Sequence, residues 1–299
     1  MMDQTYFPHD KEDTAMKHTV TLSNGVTVPA LGQGTWYLGD AEETRAREID
    51  ALRAGIEAGM TLLDTAENYG DGRSERLVGE AIRPYDRSSL FLVSKVMPSN
   101  AYGTRLMESL DRSLSHLGTD YLDLYLYHWR GSHPLADMVA AMEKARASGK
   151  IRAWGVSNLD TTDMEELWRI PGDTNCAVNQ VLYHMGSRGI DYSLLLWMRE
   201  HNVALMAYCP LAQAGQLSCD LLGNGVLGEV AARHGATPAQ IALAWAIRDD
   251  NTIAIPRTGR KEHAVSNAGA DAFDLTAEDC AALDRAFPPP TRKEPLHIE

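Results

Sequence analysis

The stretch LDLYLYHW, Leu122 to Trp129, decides the fold. Up to Tyr127 it is almost wholly apolar or aromatic, on both of the faces that a strand presents. Leu122, Leu124, Leu126 and His128 fall on one face, and Tyr125 and Tyr127 on the other. A strand buried on both faces belongs to a parallel sheet covered by helices. Such runs recur along the chain: ALGQGTW from Ala30, MTLLDT from Met60, LFLVSK from Leu90, IRAWGVSN from Ile151, CAVNQV from Cys176, VALMAY from Val203 and TIAIPR from Thr252. With YLDLYLYH from Tyr121 they make eight, spaced roughly 30 residues apart, each followed by an amphipathic segment.

The intervening segments have helical periodicity and helical stops. Asp40 and Glu43 are spaced as a capping box ahead of Ile49, Leu52 and Ile56, with Gly59 as the stop. Leu106, Leu110, Leu114 and Leu117 form a stripe closed by Gly118; Leu135, Met138, Val139 and Met142 form another, closed by Gly149. Thr237, Pro238 and Gln240 supply an N-cap, a first-turn proline and a reciprocal cap before IALAWAI. Eight strand-helix units in 299 residues predict an α/β fold, a (β/α)8 TIM barrel. A doubly wound sheet is the alternative, but GQGTWYLG lacks the glycine spacing of a dinucleotide-binding turn. Ahead of the barrel, HTVTLSNGVTVPALG alternates β-formers around Asn24-Gly25 and predicts a β-hairpin cap. Residues 1–16 read as a disordered extension and 17–299 as one barrel domain. Two longer insertions follow: Cys209 to about Gly225, and a Pro-rich tail after Phe287 that is expected to leave the barrel mouth open.

Composition narrows the function. A net charge of −13 disfavours nucleic acid and anionic membrane as partners. No apolar run is long enough to span a bilayer, and the N-terminal residues lack the apolar core of a signal peptide. Cys176, Cys209, Cys219 and Cys280 are scattered, which argues against a redox pair, a disulfide framework or a metal site and favours a reducing cytoplasm. The oligomeric state stays open, with a monomer favoured.

The strand ends carry the chemistry. The second apolar run ends in Asp64, the third in Lys95, the fourth in His128, the fifth in Ser157-Asn158, the sixth in Gln180, the seventh in Tyr208 and the eighth in Arg257. In a barrel these ends converge on one rim, where active sites are built. Alternation places Asp64, Lys95 and His128 on the lumen face of their strands, with Tyr121, Tyr125 and Tyr127 towards the helices. Tyr69 follows in the loop DTAENYGDGRSE. A neighbouring ammonium lowers the pKa of a phenol, so a Tyr69-Lys95-Asp64 chain is a way to make a proton donor or acceptor near neutrality. A hydrogen bond to an oxygen being reduced, or a relay of its proton, suits His128. Trp36 and Trp129, after the first and fourth strands, are expected to wall a substrate pocket.

Taken in order, LGQGTW, LLDTAENYGDGRSERLVGEAI, VSKV, SLSHLGTDYLDLYLYHW, SGKIRAWGVSN, VNQVLYH, MAYCPLAQAG, TPAQIALAW and IPRTGRKEHAVSN resemble the aldo-keto reductases from about Lys17 to about Phe287. GTWYLGDAEETR, ELW and QVLYHMGSRGI are similar to the bacterial branch with methylglyoxal and small-aldehyde reductases. The resemblance implies a (β/α)8 barrel that reduces carbonyls with NADPH, with a small-molecule carbonyl substrate as its partner. It implies Tyr69 as general acid, Lys95 and Asp64 tuning it, and His128 orienting the carbonyl. It also implies Ser157, Asn158 and Gln180 on the nicotinamide carboxamide and Tyr208 stacked on the ring. Pro210, Leu211 and Gln213 would lie along the pyrophosphate, Arg257 and Thr258 on the 2′-phosphate, and Asn267 on the adenine. Arg257-Thr258 stands where the family often has Lys-Ser, and His263 where a further arginine is expected; Arg260 can compensate. NADPH is favoured and NADH stays open. Two other readings remain: a Schiff-base lyase using Lys95, and an NADP(H)-binding sensor barrel without turnover.

Overall fold

A computed structural model describes residues 15–170, 175–213 and 220–298. Two short strands, β1 (Thr19–Thr21) and β2 (Thr27–Pro29), pair antiparallel and form the expected hairpin. Its turn runs through Gly25 at φ +82°, a left-handed backbone that glycine adopts without a Cβ penalty. Eight strands follow: β3 (Gln33–Gly34), β4 (Leu62–Asp64), β5 (Phe91–Val96), β6 (Leu122–Tyr127), β7 (Ile151–Ser157), β8 (Cys176–Leu182), β9 (Ala204–Tyr208) and β10 (Thr252–Ile255). Each pairs in parallel with the next in sequence. Parallel bridges Leu31–Ala254 and Gly34–Arg257, with hydrogen bonds from Gly32 N to Ala254 O (2.9 Å) and Ala254 N to Ala30 O (2.8 Å), join the first barrel strand to the last. The sheet is a (β/α)8 barrel.

Helices link the strands: α1 (Glu42–Glu57), α2 (Arg73–Ile82), α3 (Arg105–Leu117), α4 (Leu135–Ala147), α5 (Thr161–Trp168) and α6 (Leu194–Glu200), then α7 (Gly225–His234), α8 (Pro238–Ala246), α9 (Lys261–Ala268) and α10 (Ala277–Ala286). Their periodic faces are the ones expected. Leu106, Leu110, Leu114 and Leu117 of α3 are all buried, and Gly118 ends the helix at φ +66°. Thr237 and Gln240 form the reciprocal cap of α8.

The cap expected for α1 is corrected. Ala41 is its N-cap residue and no side chain caps it. The Asp40 carboxylate instead accepts from Arg73 Nη2 at 2.9 Å, at the start of α2. A charge-assisted bond to an arginine is stronger than one to a neutral amide, so the ion pair takes the carboxylate away from the helix end.

The hairpin lies at the N-terminal end of the barrel: Thr19 and Thr21 share a groove with Asn202, Asp250 and Asn251, which precede β9 and β10. The tail after Phe287 is packed rather than free. It folds back onto the loops after β7 and β8 at the C-terminal rim. Lys293 Nζ donates to Asp160 Oδ1 at 2.9 Å after β7, and His297 Nδ1 lies 2.9 Å from Ser187 Oγ after β8. Leu296 packs against the core at the same place. Residues 1–14 of the expected extension, Cys219 and part of the insertion after β9 lie outside the described residues; Met16 packs against the core.

Candidate active site

Asp64 closes β4, Lys95 is the penultimate residue of β5 and His128 is the first residue past β6. Lys95 is fully buried and uses all three ammonium donors. Its Nζ donates to Asp64 Oδ2 at 2.7 Å, to Thr65 O at 2.9 Å and to the Tyr69 hydroxyl at 3.1 Å. The second Asp64 oxygen accepts from Gln180 Nε2 at 2.8 Å, across the lumen from β8. The ring of His128 stands edge-on to Tyr69, with centroids 5.7 Å apart. Its Nδ1 is buried and meets no hydrogen-bond partner among the described residues. The alternation argument is therefore upheld: Asp64, Lys95 and His128 share the lumen, while Tyr121 lies between the Arg87 and Arg152 guanidiniums and Tyr127 accepts from Gly131 N at 2.6 Å outside it.

The electrostatics follow from burial. Desolvation pushes the Asp64 carboxyl upward, against the pull of the Lys95 ammonium and of the bonds from Lys95 and Gln180. Burial works against the Lys95 ammonium, but Asp64 and Tyr69 outweigh it and hold its pKa above the usual lysine value. The Tyr69 phenol moves up, contrary to the sequence expectation. Lys95 does pull it down, but loss of water around the phenolate is the larger effect. Burial, followed by the charge of Lys95, depresses the His128 imidazole to about 2. At neutral pH the set comprises a neutral phenol, a charged ammonium and a neutral imidazole.

The two tryptophans flank this set. Trp36 is 6.5 Å from the Tyr69 ring and Trp129 is 4.6 Å from that of His128, measured between centroids. Trp129 is about a third exposed, at 36%. Sequence reasoning missed Tyr37, which stacks on Trp36 at 4.5 Å with an exposed ring and a backbone φ of +64°. Nothing in TWYLG signals it, because bulky side chains seldom adopt that region.

Further round the rim, Ser157 Oγ donates to Gln180 O at 2.9 Å. Asn158 Nδ2 donates to Ser157 Oγ at 3.2 Å, and Asn158 Oδ1 accepts from the Tyr208 hydroxyl at 3.1 Å. Gln180 thus touches Asp64 as well as Ser157, a tie the linear sequence does not disclose. Past β9, Pro210 is buried and Leu211 and Gln213 are partly buried, in a turn where Cys209 and Ala212 have φ of +49° and +60°. Past β10, Arg257 is exposed, Thr258 Oγ1 accepts from Arg260 N at 3.1 Å, and Asn267 is buried on α9, where His263 is exposed. Arg257 and Thr258 lie just past the end of β10, and Asn267 near the C-terminal end of α9.

A model of the aldo/keto reductase family matches residues 30–287. The chain belongs to the aldo/keto reductase family. Methylglyoxal reductase YeaE of Escherichia coli (strain K12) is 51% identical over 279 residues, covering 93% of this chain and 98% of that protein. Glyoxal reductase of Bacillus subtilis (strain 168) is 34% identical, covering 91% and 93%. Among solved structures, an aldo/keto reductase from Klebsiella pneumoniae in complex with NADP and acetate superposes with a TM-score of 0.91 at 50% identity, covering 95% of this chain and 100% of that one. As an aldo-keto reductase, the protein is an oxidoreductase, and the barrel seen here is the architecture expected of it.

Proposed function

We propose that this reductase uses NADPH to convert small aldehydes and ketones to alcohols, with dicarbonyls of the methylglyoxal type as the favoured substrates. The observation that carries the reading is the Tyr69 hydroxyl, 3.1 Å from a charged, fully buried Lys95 and beside a neutral His128. When bound, NADPH supplies hydride to the carbonyl carbon. As charge grows on the carbonyl oxygen, Tyr69 donates its proton there and Lys95 stabilises the phenolate left behind. Asp64 keeps Lys95 charged and aimed, and Gln180 holds Asp64 from its other side. His128, held neutral by burial beside Lys95, orients the carbonyl between Trp36 and Trp129.

The donor set suits a nicotinamide dinucleotide. Ser157, Asn158 and Gln180 offer the hydroxyl and amide groups that a carboxamide needs, and Tyr208 offers an aromatic face. The Pro210–Gln213 turn would lie along the pyrophosphate. Arg257 and Thr258, with Arg260 nearby, would take a 2′-phosphate and Asn267 the adenine, which favours NADPH over NADH. Relatives described as methylglyoxal and glyoxal reductases, and a structural neighbour holding NADP, support the same reading.

The alternatives are weaker on chemical grounds. A Schiff-base lysine must be neutral, whereas Lys95 is held as an ammonium by three acceptors; borohydride trapping with a carbonyl tests this. The deciding experiment is oxidation of NADPH and NADH across methylglyoxal, glyceraldehyde, aromatic aldehydes and simple sugars. Tyr69→Phe is expected to bind NADPH normally and to lose about 10²-fold or more in turnover. Wild-type turnover in that variant would remove Tyr69 from its role. Cofactor binding with no turnover of any carbonyl in the wild type would favour a sensor.

A further inference from the structure

Two residues before Tyr69, Glu67 enters no step above, yet its side chain is only 12% exposed and both carboxylate oxygens are engaged. Oε1 accepts from the backbone N of Met97 at 2.7 Å and from Asn100 Nδ2 at 3.0 Å. Oε2 accepts from Ser109 Oγ on α3 and lies 3.6 Å from Arg112. The backbone of Glu67 also reaches β5, donating from N to Lys95 O at 3.3 Å. Met97 is two residues past Lys95, just as Tyr69 is two residues past Glu67. We propose that Glu67 is a positioning residue that clamps the loop carrying the acid to the strand exit carrying its ammonium partner, and so sets the Tyr69–Lys95 contact.

A carboxylate of this length meets the whole contact set. Two oxygens must accept from a backbone amide, a carboxamide and a hydroxyl at once, which no neutral side chain does with both ends. Arg112 is 56% exposed, so its ion pair adds little; the bonds to Met97, Asn100 and Ser109 do the holding. Tyr69 and Lys95 come from different elements, and a shift of about 1 Å between reacting groups can cost 10²-fold in rate.

The inference rests on Tyr69 being the proton donor, and the test separates the two. Glu67→Ala is expected to lower kcat about 30-fold, with the carbonyl KM and the NADPH Kd within about two-fold of wild type. In the apo protein, hydrogen exchange at the Met97 amide and across Glu67 to Gly72 is expected to accelerate about ten-fold or more. Glu67→Gln keeps an acceptor for Met97 and Asn100 and is expected to retain kcat within about five-fold. Should Glu67→Ala not fold, Glu67→Asp, one methylene too short to reach Met97, is expected to show the same loss. Exchange that opens while kcat stays at the wild-type value overturns the proposal, as does unchanged exchange. If the wild type reduces no carbonyl, the functional reading fails, and joint opening of the two segments still supports the clamp.

Discussion

Tyr69 shows how one residue's chemistry is set by competition. Lys95 favours its phenolate, burial favours its phenol, and burial prevails. For the proton donation proposed above this is the useful outcome, since a general acid must arrive protonated. The sign of the pH dependence follows. In the role proposed for Tyr69, reduction needs Tyr69 and Lys95 protonated, so it persists below their raised pKa values and falls as pH rises through that of Tyr69. His128 is neutral at all pH above about 2. The pH profile of kcat/KM for methylglyoxal should therefore be flat from about pH 6 to 9 and fall only above about 10; a fall near neutrality would contradict the assignment of the acid. Alternation along single strands was enough to read Asp64, Lys95 and His128 from sequence. The direction of the Tyr69 shift was not readable, because desolvation depends on what other segments pack around the ring. Nor was the bond from Gln180 to Asp64, which spans 116 residues and the width of the lumen.

At the scale of elements, local signals held where nothing stronger competed. The α8 cap is read directly from TPAQ: Gln240 N donates to Thr237 Oγ1 at 3.2 Å, and Thr237 N donates to Gln240 Oε1 at 3.0 Å. The same spacing at Asp40 and Glu43 produced no cap, because a distant arginine claimed the carboxylate. The two cases make a paired prediction. Thr237→Ala should cost about 1 kcal/mol and lower Tm by roughly 2–4 °C. Asp40→Ala removes only a half-exposed ion pair and should cost about 0.5 kcal/mol or less. Thermal melts of the two variants beside wild type compare them, and an equal loss would mean that the Asp40 ion pair is worth as much as a cap.

For the whole molecule, the eight apolar runs were legible because a strand covered on both faces has no wet side to encode. Their lengths were not: β3 is only two residues long, since closure against β10 is shared with neighbouring bridges. The barrel's tolerances are tightest where strands crowd. A Cβ on Gly155 of β7 would lie 2.5 Å from Val178 O and 2.9 Å from Leu126 Cδ2. The carbonyl belongs to β8 and cannot swing aside. Gly155→Ala should therefore destabilise the barrel by about 3 kcal/mol or more, lowering Tm by roughly 6–12 °C in a melt. A drop of only a degree or so would mean that β7 and β8 can move apart.

The hairpin at one end of the barrel and the docked tail at the other have a practical consequence for handling the enzyme. A tether attached ahead of Ala15 leaves from the closed floor, whereas one attached past Ile298 leaves beside the loops after β7 and β8. Immobilised through its front end, the enzyme would face a bead or electrode with its floor and turn its open end to the bulk solution. Reversing the attachment would bring the support up against the entrance, so the same polypeptide would make a good or a poor surface catalyst according to which end is anchored.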